Sequence, residues 1–133
     1  MDNRLFFPKP LRNFPGARWV RIGLRTWHLI AMGYVLGGVA LGTPFADLAG
    51  PLWATLVSGL LFVGVELYTS CIFLLQLKGW AVLAKVLLLG AAVAAPAHAE
   101  AYLVVAVIIG GISSHMPGRF RYYSVVHGAV RKE

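Results

Sequence analysis

The sequence is poor in charge, in acidic residues and in cysteine. Of 133 residues only 13% are charged, five are acidic and one is cysteine. Soluble proteins average about 25% charged residues, so the composition does not fit a soluble domain. Cys71 stands alone, which excludes an intramolecular disulfide. A chain of this length also leaves no room for a soluble enzyme domain beside a membrane part.

The sequence also lacks recognisable catalytic, nucleic-acid-binding and metal-binding motifs. No nucleophile, base and orienting group stand at a known spacing, and no nucleic-acid motif accompanies the net charge of +7. Asp47, His98 and Glu100 are too few to build a convergent metal site. We therefore expect no enzymatic activity, no nucleic-acid partner and no metal.

Long apolar runs dominate what is present. Hydrophobic residues make up 59% of the chain, and the mean hydropathy is +0.74. Proline and glycine separate the runs, and about 20 apolar residues suffice for a helix to cross a bilayer. The pattern predicts an all-α integral membrane protein with four transmembrane helices in an up-down bundle. The predicted spans cover about residues 27–43, 52–75, 80–95 and 97–114.

The segments that flank these spans are basic. Residues 1–17 contain proline and glycine and predict an irregular cytoplasmic segment. In residues 18–26 the arginines Arg18, Arg21 and Arg25 share one helical face, which predicts a short interfacial helix. Residues 115–133 predict a basic cytoplasmic tail.

The basic residues also predict the orientation. With four crossings and an internal first segment, all twelve Lys and Arg residues fall on one side, and the opposite connections hold none. The positive-inside bias therefore predicts that both termini are cytoplasmic, and the compact connections favour a bacterial inner membrane. The same residues predict contact with anionic lipids. The first apolar run lacks a small-x-small site, so no cleavable signal is expected there.

Glu66 is the one carboxylate inside the predicted spans. A carboxylate near the middle of a spanning helix costs about 2.5–3.5 kcal/mol, so it needs compensation. Two hypotheses remain open, namely a carboxyl that joins helices and a relay for protons or cations. Lys85 is the partner that the predicted depths suggest, although its long side chain could instead extend to the inner interface.

Two histidines form a second candidate pair. His28 begins the predicted first span and His115 ends the fourth, so an up-down bundle places them at one depth. Paired histidines of this kind can ligate haem b, and the same location suits a quinone. The alternative is two interfacial histidines at helix ends.

Small residues predict where helices approach one another. Gly33 with Gly37, and Gly38 with Gly42, form two small-xxx-small pairs that permit close helix packing. Short spans, glycine-lined faces and little internal chemistry predict a non-catalytic accessory, anchoring or assembly subunit of a larger membrane complex. Its expected partners are other integral membrane subunits. The alternatives are a haem- or quinone-binding anchor for electron transfer, and a small transporter centred on Glu66.

Overall fold

The computed structural model describes residues 5–131, so Arg4 and Lys132, two of the basic residues counted above, lie outside it. Four long α-helices dominate the described chain. They are α1 (Ala17–Ala40), α2 (Ala49–Thr69), α3 (Leu77–Ala94) and α4 (Ala99–His115). Short 3₁₀ helices connect them at Phe45–Leu48, Cys71–Leu75 and Pro96–His98. A single turn, α5 (Gly118–Arg121), precedes a small hairpin of β1 (Tyr123–Ser124) and β2 (Ala129–Val130).

The helices form two antiparallel pairs. α1 packs along α2, α3 packs along α4, and contacts between α1 and α4 join the two pairs. The register of the first pair is visible in its contacts: Arg21 meets Glu66 near one end, and Gly38 meets Leu48 near the other. Residue numbers that rise in α1 fall in α2, as an antiparallel pair requires.

Three helical segments within the described residues are long and apolar enough to cross a membrane. They are Phe45–Thr69, Leu77–Ala94 and Pro96–His115, and few of their side chains are buried in the isolated chain. Exposed apolar side chains along the full length of a helix are typical of a lipid-facing surface. The prediction of a helical membrane protein is confirmed at this level.

The first predicted boundary is wrong. One continuous helix of 24 residues, α1 (Ala17–Ala40), contains the predicted interfacial helix 18–26 and most of the predicted span 27–43. No helix-breaking residue separates the arginine-bearing half from the apolar half, so the hydrogen-bonded ladder runs through both. α1 is not among the three segments that qualify as spans by length and composition.

The second predicted span also ends too late. α2 stops at Thr69, because Ser70 adopts an extended conformation (φ −170°, ψ 138°) and its side chain accepts a hydrogen bond from Ile72 N. Residues 71–75 then form a 3₁₀ helix. α3 begins at Leu77, three residues before the predicted start of the third span at residue 80.

Residues 118–131, which belong to the predicted basic tail, are folded against the connection between α2 and α3. Ser124 forms a bridge with Gln76, and Val125 N donates to Leu75 O at 2.9 Å. Gln76 Nε2 donates to Arg131 O at 3.1 Å, and both Gln76 and Ser124 are buried. The N-terminal segment reaches the same place, where Cys71 N donates to Phe6 O at 3.0 Å. Both flanking segments therefore lie at the connection between α2 and α3.

The hydrophobic core lies toward the opposite end of the helices. Its fully buried members are Val35 of α1, Ala92 of α3, and Ala99 and Leu103 of α4. Three helices thus meet around small side chains, with Phe45 and Leu52 packed against the cluster.

Candidate functional site

The charged and polar side chains inside the helices collect at the end where α2 stops and α3 starts. Glu66 Oε1 accepts a hydrogen bond from Arg21 Nε at 2.9 Å, and its Oε2 lies 3.6 Å from Lys78 Nζ. Arg21 Nη2 also donates to Thr69 Oγ1 at 2.6 Å. The carboxylate therefore has two cationic partners, and it joins three helices.

Because its side chains are largely buried, we expect this cluster to matter more for stability than a surface ion pair does. The side chains of Glu66, Arg21 and Lys78 are 14%, 25% and 26% exposed. Exposed pairs contribute about 0–1 kcal/mol because water screens them, whereas a largely buried charge needs its partners. The Arg21 and Lys78 charges offset the cost of placing Glu66 inside the helices.

The predicted position of Glu66 is corrected, and its partners are Arg21 and Lys78 rather than the candidate Lys85. The apolar run 52–75 places Glu66 near the centre of a span, but α2 ends three residues after it, at Thr69. Lys78, on the first turn of α3, fills the role that depth suggested for Lys85. Both corrections have one cause, which is that the helix ends at Ser70 inside an uninterrupted apolar run.

Lys85 lies elsewhere, between α3 and α4. A Cβ atom built on Gly110 would lie 3.7 Å from Lys85 Cδ and 3.9 Å from its Nζ, so the lysine side chain crosses α4 at a glycine. No salt bridge between residues in the range 5–131 includes Lys85.

His28 is held against α2. Its Nδ1 lies 3.0 Å from Thr55 O and 3.1 Å from Ser58 Oγ, and Ser58 Oγ itself donates to Ala54 O at 2.7 Å. A carbonyl oxygen can only accept, so Nδ1 carries the proton and donates it to α2. Gly59 leaves room for the ring, because a Cβ atom there would lie 3.2 Å from His28 Cε1.

His115 occupies a different environment. It is the last residue of α4, it is exposed, and the neighbouring Ser114 carbonyl accepts a hydrogen bond from Arg121. His28 is directed at α2, so ligation of one haem by His28 and His115 stays a prediction. No group of three or more metal-ligating side chains occurs in the part of the chain that the structure describes.

The four predicted packing glycines divide into different roles. At Gly38 an added Cβ would lie 2.5 Å from Leu48 Cδ2, so this glycine admits Leu48 against α1. Added Cβ atoms at Gly33 and Gly37 would meet nothing within 4 Å, so these two make no close approach inside the chain. Gly42 follows the helix with φ +79°, a conformation that glycine adopts without strain. Of these four predicted glycines, only Gly38 makes a close packing contact within the described chain.

Sequence patterns missed the glycine with the closest contact. A Cβ atom on Gly79 would lie 2.2 Å from Phe73 O and 3.2 Å from Leu74 Cα, both backbone atoms. Gly79 thus lets the first turn of α3 lie directly against the 3₁₀ helix, which sets Lys78 beside Glu66. In the sequence, the one sign of this role is that Gly79 directly follows Lys78. A glycine at such a place is also typical of a turn, so the sign is not specific.

The fold and the cluster define a helical membrane protein whose largely buried carboxylate is paired within its own helices. Comparison of the chain with protein-family models, with curated proteins and with solved structures found no match. Function must therefore be argued from the geometry alone.

Proposed function

We propose that the protein is a small, non-catalytic, multi-pass membrane subunit that anchors or helps to assemble a larger membrane complex. The observation that carries this proposal is an exposed stripe along α1. Ile30, Tyr34 and Leu41 on this stripe are 57%, 68% and 88% exposed, and Gly33 and Gly37 between them leave open space. Small residues on a helix surface let the backbone of another helix approach closely, as membrane helix pairs require.

The paired state of Glu66 supports a structural role for the polar cluster. A carboxylate that accepts from Arg21 and lies beside Lys78 stabilises helix contacts, whereas a relay needs a group that gains and loses a proton during turnover. The transport hypothesis is tested by the Glu66 variants described in the Discussion.

The proposed topology has four crossings with both flanking segments on the cytoplasmic side, in a bacterial inner membrane. The antiparallel pairs support it, since residues 6 and 131 lie at one end of the helices together with the α2–α3 connection. Basic residues gather at this end, whereas Asp47 and Glu100 lie at the opposite end. The fourth proposed crossing is α1, whose 24 residues rise about 36 Å, although its arginine-bearing first half keeps it from qualifying as a span by composition.

Single cysteines test the topology in a Cys71→Ser background. A membrane-impermeant maleimide should label Ala46→Cys and Glu100→Cys in intact cells, and should label Arg119→Cys only after the membrane is permeabilised. Labelling of Arg119→Cys in intact cells would overturn the four-crossing arrangement.

Partner binding is tested by filling the open stripe. Gly37→Leu should lose subunits that co-purify with the tagged wild-type chain in mild detergent, because the new side chain occupies the place of a partner helix. Gly90→Leu is the matched control, since Gly90 is also helical and an added Cβ there would also meet nothing within 4 Å. Equal recovery of partners by both variants, or no stoichiometric partner for the wild type, would contradict the proposal.

A second candidate, the haem- or quinone-binding anchor, has one observation in its favour. The Nδ1 proton of His28 is donated to a backbone carbonyl, which is how ligating histidines are commonly oriented. The absorbance spectrum of the freshly purified complex tests this candidate. A Soret band that is lost in His28→Ala and in His115→Ala would favour it over the accessory role, and a spectrum without a Soret band would exclude haem.

A further inference from the structure

Two adjoining cavities lie where the N-terminal segment crosses the end of α2. The first, of about 460 Å³, is apolar and runs along the last turns of α2; its lining residues are Phe14, Leu60, Leu61, Gly64, Val65 and Tyr68. The second, of about 510 Å³, has more apolar than polar surface, and its hydrogen-bonding groups come from Arg12, Asn13, Arg21 and Thr69. The two linings follow one another in the chain, at residues 13 and 14 and again at residues 68 and 69. We call the two together the N-terminal groove.

The Tyr68 ring lines the first cavity and lies beside Arg12, which lines the second. Phe14 packs edge-on against it with ring centroids 6.1 Å apart, and the Arg12 guanidinium lies 5.8 Å from its centroid. Thr69, the next residue of α2, already lines the second cavity. Along α2 the lining therefore gains hydrogen-bonding side chains at the end of the helix.

We propose that the N-terminal groove binds one anionic phospholipid, with an acyl chain in the apolar cavity and the phosphate in the second cavity. From Leu60 to Tyr68 the helix rises about 12 Å, so the apolar cavity follows the hydrocarbon layer while the second cavity reaches the interface. A free phosphate ion would use only the second cavity, so the joined cavities select the lipid as the source of the phosphate.

The charges of the second cavity match a phosphate group. Guanidinium groups bind phosphate through paired N–H donors, and Arg12 and Arg21 both face this cavity. Arg21 is also bonded to Glu66 and Thr69, so Arg12 is the arginine assigned to the lipid phosphate. Arg12 Nη2 donates to Leu5 O at 2.6 Å, which ties the position of its guanidinium to the N-terminal segment.

The proposal is tested by lipid binding to the full-length chain in detergent, measured by native mass spectrometry. Phosphatidylglycerol should bind about fivefold more tightly than phosphatidylcholine with the same acyl chains, the factor expected for one basic residue near an anionic lipid. Arg12→Gln should remove this preference, while Arg119→Gln at the same end of the molecule should keep it. Equal binding of the two lipids to the wild-type chain would overturn the proposal.

The apolar cavity is tested separately by filling it. Gly64 lines the cavity and an added Cβ would meet nothing within 4 Å, so Gly64→Leu should fold and exclude the acyl chain. Gly90→Leu should bind lipid like the wild type. Unchanged lipid binding by Gly64→Leu would overturn the proposal, as would inorganic phosphate that competes fully with the lipid.

These outcomes are independent of the proposed subunit role. Gly37→Leu should lose partners and keep phosphatidylglycerol, whereas Gly64→Leu should lose phosphatidylglycerol in the isolated chain whether or not partners exist. Loss of lipid selectivity in Gly37→Leu would contradict a site in the N-terminal groove.

Discussion

The two ends of the helices are held together by different physical means. At one end Val35, Ala92 and Leu103 pack in a small apolar core. At the other end Glu66, with Arg21 and its other partners, joins helices through charge and hydrogen bonds. In a membrane, lipid tails are as apolar as leucine, so an apolar core gains from close packing more than from burial. The comparison indicates that one end depends on close packing of apolar side chains and the other on pairing of opposite charges.

The largest effect is expected from the apolar end. Leu103 is fully buried among three helices, so Leu103→Ala should lower the free energy of unfolding in detergent by about 2–5 kcal/mol through the cavity that it leaves. Leu87→Ala, on the exposed face of α3 where Leu87 is 65% exposed, should change it by less than about 0.5 kcal/mol. Similar losses for both would mean that the core is no better packed than the lipid-facing surface. Unfolding by a denaturing detergent measures both variants.

The next effect comes from the backbone contact beside the charged cluster. Gly79→Ala places a methyl group against Phe73 O, and neither backbone can yield without moving α3, so a loss of about 1–3 kcal/mol is expected. Gly90→Ala on the same helix meets open space and should be neutral or slightly stabilising. Thermal unfolding in detergent compares the two. A neutral Gly79→Ala would show that the polar end tolerates displacement of α3.

Glu66 variants distinguish pairing from chemistry at the polar end. Glu66→Leu leaves Arg21 and Lys78 without their acceptor and should cost about 1–2 kcal/mol, whereas Glu66→Gln keeps one hydrogen bond and should cost less. Unfolding in detergent and recovery of the complex are measured for both variants. If Glu66→Gln preserves assembly but abolishes an activity of the parent complex, the carboxyl transfers protons or cations and the structural role is wrong.

The smallest effect compares the two lysines. Lys78→Met removes a cation beside Glu66 and should cost about 0.5–1 kcal/mol, in the range of partly exposed ion pairs. Lys85→Met keeps the length of the side chain along Gly110 and should cost less than Lys78→Met. A double-mutant cycle with Glu66→Gln measures each coupling. Stronger coupling to Lys85 than to Lys78 would restore the partner that the sequence suggested.

The apolar pattern predicts the helical membrane class and the approximate limits of the last two helices. It does not predict where α2 ends, because Ser70 stops the helix through its own extended backbone and side-chain hydrogen bond within a run that remains apolar to Leu75. A hydropathy profile does not detect a helix end of this kind, because the residues on both sides of it are apolar. The error moved Glu66 from the end of a helix to its middle and displaced its partner from Lys78 to Lys85.

The polar cluster was only half predictable for a related reason. Glu66 is conspicuous as a lone carboxylate, but Arg21 was placed on a separate interfacial helix, whereas continuous α1 carries it alongside α2. The hydrogen bonds of His28 with Thr55 and Ser58 depend on the same register. The residue types alone identified Glu66 and His28 as candidates. Their partners became clear only from the way in which the helices pack against one another.

The bridge between Ser124 and Gln76 has a consequence for biosynthesis. Gln76 donates to the carbonyl of a residue 55 positions later in the chain, and Leu75 O accepts from Val125 N. While the ribosome is still making α4, the chain already contains both members of the Arg21–Glu66 ion pair, but Leu75 and Gln76 still lack these partners. Nascent chains halted before residue 124 therefore present free backbone groups at the α2–α3 connection, which a membrane protease or insertase could distinguish from the finished fold.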